Sequence, residues 1–423
     1  MYIIYPFKNA VLIIVNYYIT MFKKTKKVFL DYASTTPVDK KAFQSMKPYF
    51  SKDFFNPSAI YRGGVTVSKV LEKCHQEVSR IIQSKPTEII FTGSGTESDN
   101  MAILGVARGI ISKKENSLKG KPHIITTAIE HVAVLDACRQ LEVEGFDVTY
   151  LKPDEKGIIS PERVIKQIRP ETILISIMLA NNEIGTILPI RKISVAVKKN
   201  KKSENKIVSD YPFFHTDASQ APNYLRVNVD ALGVDLMTLD GSKIYGPKGV
   251  GILFSKSYVP ICPISFGGGQ ERGKRAGTEN VPAIIGFTKA LQIASAIRKK
   301  ESERMKKLQK LFLELLEKEI PSAEINGSIK NRMPNNINIC IKGLDAEFAV
   351  LQLDEIGISC AAMSACKNLT GGVGSYVVKA LTKKNDTRNC AKSSLRFSMG
   401  RKTSAKDIKL AITALKQIIK SQI

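Results

Sequence analysis

The sequence predicts an α/β protein in which a mostly parallel sheet is covered by helices and followed by a smaller C-terminal unit. Three observations carry the prediction. Between about residues 88 and 255, short β-type apolar runs alternate with helical stretches, the pattern of strand–helix–strand units. After Gly277 the pattern changes to one long helical stretch, 283–320, with Leu308, Leu311, Phe312, Leu315 and Leu316 on one face and charge on the other. The chain has 423 residues, 43% of them apolar, enough to bury a large core and form more than one domain.

Four of the apolar runs end in residue types suited to a ligand, and strand ends of an α/β sheet are where ligands gather. The first, EIIFTGSGTESDNMAI (Glu88 to Ile103), runs into Gly93, Ser94, Gly95 and Thr96 and then into a helical pattern with an acidic first turn. Small residues at a helix start suit a phosphate, because backbone N–H groups point outward there. The spacing is neither the P-loop nor the dinucleotide fingerprint. The second, TILISIMLANNEIGTILPI (Thr172 to Ile190), delivers Asn181 and Asn182, whose amides can hold a ring hydroxyl or a carboxylate. The third, FFHTDASQAP (Phe213 to Pro222), ends in Asp217, a carboxylate that could pair with a protonated pyridine nitrogen. The fourth, LDGSKIYGPKG (239–249), puts Lys243 in a glycine-rich turn, a candidate Schiff-base lysine. A lone Lys-Gly turn is ordinarily a surface loop. Three companion segments of the same style argue otherwise.

Together these segments resemble the cysteine desulfurases of the NifS and IscS type, in the class V aminotransferase family of fold type I pyridoxal phosphate enzymes. The resemblance spans roughly residues 28 to 420. It adds FLDYASTTPVD at 29–39, FNPSA at 55–59, IEHVAVLDACRQLEVEGFDVTYL at 129–151, GGGQERGKRAGTENV at 267–281, MSAC at 363–366 and SSLRFSMGR at 393–401. It implies a seven-stranded-type sheet in a large cofactor domain, residues 43–285, and a smaller α+β domain, 286–423, with 28–42 packing on the latter and 1–27 as an extension.

By resemblance, the cofactor is pyridoxal 5′-phosphate and the substrate L-cysteine, which becomes L-alanine. Lys243 forms the Schiff base and moves protons at the substrate α-carbon, and His131 stacks on the ring as acid or base. Asp217 faces the pyridine nitrogen, and Asn182 and Gln220 bind the ring hydroxyl and neighbouring substrate groups. Gly95, Thr96, Ser242 and, from the partner of a homodimer, Thr278 hold the phosphate, while Arg396 takes the substrate carboxylate through its two-pronged donor face. Cys366 is the thiolate that accepts sulfur as a persulfide and hands it to an acceptor protein, an iron–sulfur scaffold or a tRNA thiolation enzyme. Cys360 is its nearer competitor, able to pack or to act as a second thiol. Cys74, Cys138, Cys262 and Cys340 read as packing residues. The implied alternatives are a selenocysteine lyase, another class V enzyme, or a weakly active sulfur-transfer scaffold.

Some positions depart from the family pattern. Ser242 stands where a histidine usually precedes the lysine, Tyr61 replaces a histidine, and 360–363 reads CAAM in place of a serine- and glycine-rich run.

Seven cysteines without short paired spacings give no disulfide framework and no zinc pattern, and only four histidines are present, so a catalytic metal is not expected. A reducing cytoplasm fits. The net charge of +25 is spread along the chain without an aromatic–basic stripe, which argues against direct nucleic-acid binding while suiting an acidic partner. Lys-rich patches at 112–121 and 198–206 read as exposed loops. Residues 2–20 are apolar but broken by Pro6 and Lys8, and Lys23, Lys24, Lys26 and Lys27 follow them, unlike a secretory signal. Translation from Met21, a membrane tether, and an ordered extra element are the three accounts of this stretch.

Overall fold

The computed structural model describes residues 27–112, 120–203, 212–362, 374–381 and 389–423. The apolar N-terminal stretch and Cys366 therefore lie outside the described residues.

The chain enters through β1 (Val28–Phe29). The central sheet follows with β2 (Ile89–Thr92), β3 (His123–Thr127), β4 (Asp147–Leu151), β5 (Thr172–Ser176), β6 (Phe213–Asp217), β7 (Leu236–Asp240) and β8 (Gly251–Ser255). Its seven strands run in the order β2-β8-β7-β6-β5-β3-β4, with β4, β3, β5, β6 and β7 parallel and β8 antiparallel to both its neighbours. Every residue of β2, β3, β5 and β8 is buried, as expected of a sheet covered on both faces, and apart from His123 at the start of β3 these strands are apolar or small-residue runs. On one face pack Val67, Leu71, Val78 and Ile82 of the helix Arg62–Ile82. On the other pack Met101 to Ile110 and Val134 to Leu141.

A second sheet of three strands, β9 (Ala323–Ile325), β10 (Asn336–Ile341) and β12 (Ser394–Ser398), has the antiparallel order β12-β10-β9. Between β10 and β12 in sequence, β11 (Ile358–Ser359) pairs in parallel with β1 and so ties the start of the chain to this second core.

One helix, Val281–Glu319, supplies both cores. The Asn280 side chain caps it by accepting the Ala283 N–H at 3.2 Å, and Pro282 occupies the first turn, where its missing N–H costs nothing. Its 39 residues make a rod of about 58 Å. Val281, Ile284, Phe287 and Leu291 pack on the large sheet, and Met305, Phe312 and Leu316 pack on the small one.

Two readings need correction. The Lys-rich stretch from 198 is not loop as far as Ser203: it continues the helix Ile190–Ser203, whose apolar face holds Ile190, Ile193 and Val197 in the core. Lysine propagates a helix well once packing has started one. Cys340 is not a free packing thiol but is bonded to Cys390, 50 positions on in sequence, with the two Cα atoms 5.3 Å apart. The pairing follows from sheet register. Cys340 lies opposite Ser394 in the β10–β12 ladder, and Cys390 approaches that strand four residues earlier, its carbonyl accepting the Ser394 hydroxyl at 2.5 Å. On the chain-entropy account, such a loop closure stabilises by about 4 kcal/mol.

Candidate active site

The carboxyl ends of β2, β5, β6 and β7 converge on one cavity, which Gly95, Thr96, His131, Asn182, Asp217, Gln220 and Lys243 all line. Seven residues singled out from sequence thus come together, from Gly95 to Lys243 along the chain.

Each is placed by a local device. Ser94 caps the helix Gly95–Asn100, its hydroxyl accepting the Glu97 N–H at 3.1 Å, which aims the first-turn amides at the cavity. His131 caps the helix Val132–Val143: its Nδ1 accepts the Ala133 N–H at 3.2 Å, so a neutral imidazole carries its proton on Nε2. Asp217 ends β6 and accepts the Ser219 N–H at 2.9 Å. Lys243 closes a single 3₁₀ turn, Gly241–Lys243, so tight that a Cβ on Gly241 would stand 2.8 Å from the Pro247 carbonyl oxygen.

The two asparagines divide. Asn181 is spent on its own turn, its Nδ2 donating to the Ile129 carbonyl at 2.8 Å and its Oδ1 accepting from Glu183 and Ile184. Asn182 faces the cavity, and its buried Oδ1 has no hydrogen-bond partner.

Residues 31–36 cross the lysine turn as a strap. Thr36 donates to the Ser242 carbonyl through its N–H (2.9 Å) and its hydroxyl (2.7 Å) and accepts the Tyr245 N–H at 2.8 Å. Lys243 Nζ donates to the Ser34 carbonyl, and Gln220 Nε2 to the Ala33 carbonyl at 3.0 Å.

Arg396 on β12 stands against this cavity without lining it. It is only 2% exposed; Nη1 donates to the Asn182 carbonyl at 3.0 Å, Nη2 to Asp31 at 2.6 Å, and buried Nε has no partner. The guanidinium expected to take a substrate carboxylate thus already holds a carboxylate of this chain. Sequence reasoning missed Asp31 because 365 residues separate the pair.

Ser242 adjoins the lysine, but its hydroxyl donates to Asp240 at 2.5 Å. Thr278 is exposed and does not line the cavity. Cys360 is a free buried thiol that burial pushes up to about 12, which favours packing over reaction. Cys262 is only half-buried, whereas Cys74 and Cys138 pack in the core.

Buried polar groups back the cavity, and the sequence reading passed over them. His215, inside the run FFHTD, contacts the hydroxyls of Ser176 (2.9 Å) and Thr238 (3.1 Å) through its two ring nitrogens, and burial holds its imidazole down to about 3. Asp99 stands 3.8 Å from His215, and burial, with Asp217 nearby, raises its carboxyl well above the usual range. Glu130 accepts the Thr127 hydroxyl (2.7 Å) and the Met178 N–H (3.0 Å) and is pushed up to about 8 by burial. A polar residue within an apolar strand run was the available signal for His215 alone; Asp99 sits on the helix Gly95–Asn100 and Glu130 in the turn after β3.

The raised Glu130 carboxyl predicts a pH dependence. An acid ionised above its ordinary value only when unfolded leaves its stability contribution fully present below about pH 4.5 and lost as pH rises toward 8. Chemical denaturation of the apoprotein from pH 5 to 8 should give a shallower decline for Glu130→Gln than for the parent; parallel curves would show that Glu130 is ionised throughout.

Among the described residues there is no group of three or more His, Cys, Asp or Glu that could hold a metal ion, and no helix is long and apolar enough to cross a membrane.

The Aminotransferase class-V family model matches residues 28–410. Cysteine desulfurase IscS of Dictyoglomus turgidum is 42% identical over 395 residues, covering 93% of this chain and 95% of that protein. The protein of the same name from Methanosarcina thermophila is 40% identical over 396 residues, covering 94% and 93%. Among solved structures, a NifS-like protein superposes with a TM-score of 0.83 at 30% identity, covering 94% of this chain and 100% of that one. SspA in complex with cysteine superposes with a TM-score of 0.73 at 32% identity, covering 88% and 99%.

Proposed function

The chain belongs to the class V aminotransferase family, with cysteine desulfurases of the IscS type as its near relatives, and from that premise we propose how its residues divide the work. The activity is that of a cysteine desulfurase: L-cysteine becomes L-alanine and its sulfur passes to an enzyme cysteine. The observation that carries the residue assignment is the convergence of Lys243, Asp217, His131 and Asn182 on one cavity beside Arg396.

The ring end of this cavity fits pyridoxal 5′-phosphate. A carboxylate for the pyridine nitrogen, a histidine for the ring face, an unpartnered buried Asn182 Oδ1 and a primary amine stand together, and Gly95 and Thr96 begin a helix at the other end. Bound there, the cofactor supplies an electron sink for charge developing at the substrate α-carbon.

Lys243 then takes and returns the α-carbon proton, at an amine kept in reach by the strap. His131 lines the same space and, when neutral, carries its proton on Nε2. Arg396 takes the substrate carboxylate, which competes with Asp31 for the guanidinium. The Cys366 thiolate forms a bond to the substrate sulfur as the carbon–sulfur bond breaks; the bonding pair stays with carbon, which is protonated and leaves as alanine, and a persulfide remains on Cys366.

Further parts of the reading are a homodimer, a sulfur acceptor that is an iron–sulfur scaffold or a tRNA thiolation enzyme, and a cytoplasmic setting, in which the buried Cys340–Cys390 bond has to withstand the reducing pool. Exposed apolar side chains including Ile60 (97%) and Phe266 (87%) support a subunit contact, with Thr278 on the same loop region as Phe266 available to the neighbouring site. We also take 43–285 and 286–423 as the two domains, joined by the shared helix.

The test loads the protein with pyridoxal phosphate, adds L-cysteine with a thiol reductant and quantifies both products. Alanine and sulfide in equal amounts are expected; sulfide accompanied by pyruvate, or neither product, would reject the reading.

A further inference from the structure

The end of the cavity assigned to the phosphate is already held by carboxylates. Asp240, the last residue of β7, accepts the Gly95 N–H through Oδ2 at 2.8 Å. Its Oδ1 accepts the Ser242 N–H at 2.7 Å and the Ser242 hydroxyl at 2.5 Å. Just outside the cavity lining, Glu97 accepts the Gly93 N–H at 2.6 Å while pairing with Arg275 at 2.9 Å. The Gly95 amide and the Ser242 hydroxyl are donors that the sequence offers to a phosphate, and here both end on Asp240. The fit is close: a Cβ on Gly95 would meet Cβ and Oδ2 of Asp240 at 3.0 Å. Asp217 lines the same cavity as a further carboxylate that an incoming anion would meet, opposed there by the Lys243 amine.

A carboxylate and a phosphate compete for the same donors and repel each other at contact distance. Both effects act on the phosphate group alone and leave the ring and its aldehyde untouched. We propose that Asp240 is an internal competitor for the cofactor's phosphate and sets cofactor selectivity, narrowing the advantage of pyridoxal phosphate over phosphate-free pyridoxal. The inference rests on the reading of Lys243 as the aldehyde-binding lysine, and it extends that reading by naming the residue that controls which aldehyde is retained.

Two variants separate charge from fold. Asp240→Ser keeps a residue type that caps the 3₁₀ turn, and Asp240→Asn keeps the shape and an acceptor for Ser242 while removing the charge. Apoprotein of the parent and of each variant is titrated with pyridoxal phosphate and with pyridoxal, following the absorbance of the aldehyde joined to lysine, with borohydride trapping and peptide mapping to locate it. The ratio of the two dissociation constants should rise at least about tenfold in both variants, through tighter pyridoxal phosphate binding with pyridoxal changed less than about twofold. Inorganic phosphate should likewise raise the apoprotein melting temperature more in the variants than in the parent. An unchanged or reduced ratio in either soluble variant overturns the proposal. Aldehyde absent from Lys243 in all three proteins overturns the reading of that lysine and the inference with it, whereas an unchanged ratio with Lys243 labelled overturns the inference alone.

Discussion

Lys243→Ala is expected to lower alanine formation from L-cysteine by at least about four orders of magnitude, with the protein still folded. A positioned proton-transfer group is worth about 10²–10⁴ in rate, and loss of the covalent anchorage of the aldehyde adds to that. The fold should survive because the amine contributes a hydrogen bond to the Ser34 carbonyl, while the strap keeps its Thr36 contacts to the Ser242 carbonyl and the Tyr245 amide. Single-turnover alanine measurement checks the loss. Added propylamine should restore part of the proton transfer, since the three carbons and the amine lost with the side chain leave a vacancy of that shape. Retention of more than about a hundredth of the parent rate would mean that another base does the work.

Cys366→Ala is expected to abolish sulfide and alanine together, by at least about a hundredfold, without changing cofactor retention. The pairing of the two losses is the informative part, because a transaminase or lyase would release product without this thiol. Cys360→Ala should leave both products unchanged. With its thiol pushed up to about 12, only on the order of one molecule in 10⁵ carries a thiolate there at neutral pH. Mass spectrometry of the protein after a short cysteine pulse checks both variants, with a 32 Da sulfur adduct expected wherever Cys366 is intact. Alanine surviving the Cys366 change would transfer the chemistry elsewhere.

Much of the fold and most of the cavity could be read from sequence because each signal was local. Buried runs ending in Gly95–Thr96, Asn182, Asp217 and Lys243 announce strand ends, and parallel strands bring their carboxyl ends to one edge. What could not be read depends on pairs brought together by sheet order. Asp31 on Arg396, Asp240 on the Gly95 amide and Cys340 on Cys390 join residues 365, 145 and 50 apart, and no periodicity marks them. Asn181 and Asn182 illustrate the same limit at short range: identical neighbours take opposite roles because only the turn geometry decides which amide is consumed. Ser242 was visible as an unusual residue, but its hydroxyl bond to Asp240 was not.

The helix Val281–Glu319 has a bearing on folding cooperativity. Its first turns are part of the large core and its last turns part of the small one, so neither core is complete until the whole rod exists. A helix of this length gains little from propensity alone and relies on packing along its side. Losing either core would therefore fray the element on which the other depends, and β1, paired to β11 beside the strap, adds a second shared member. The two halves are built to melt as one body, so the alignment of Arg396 with Lys243 persists for as long as the protein is folded at all.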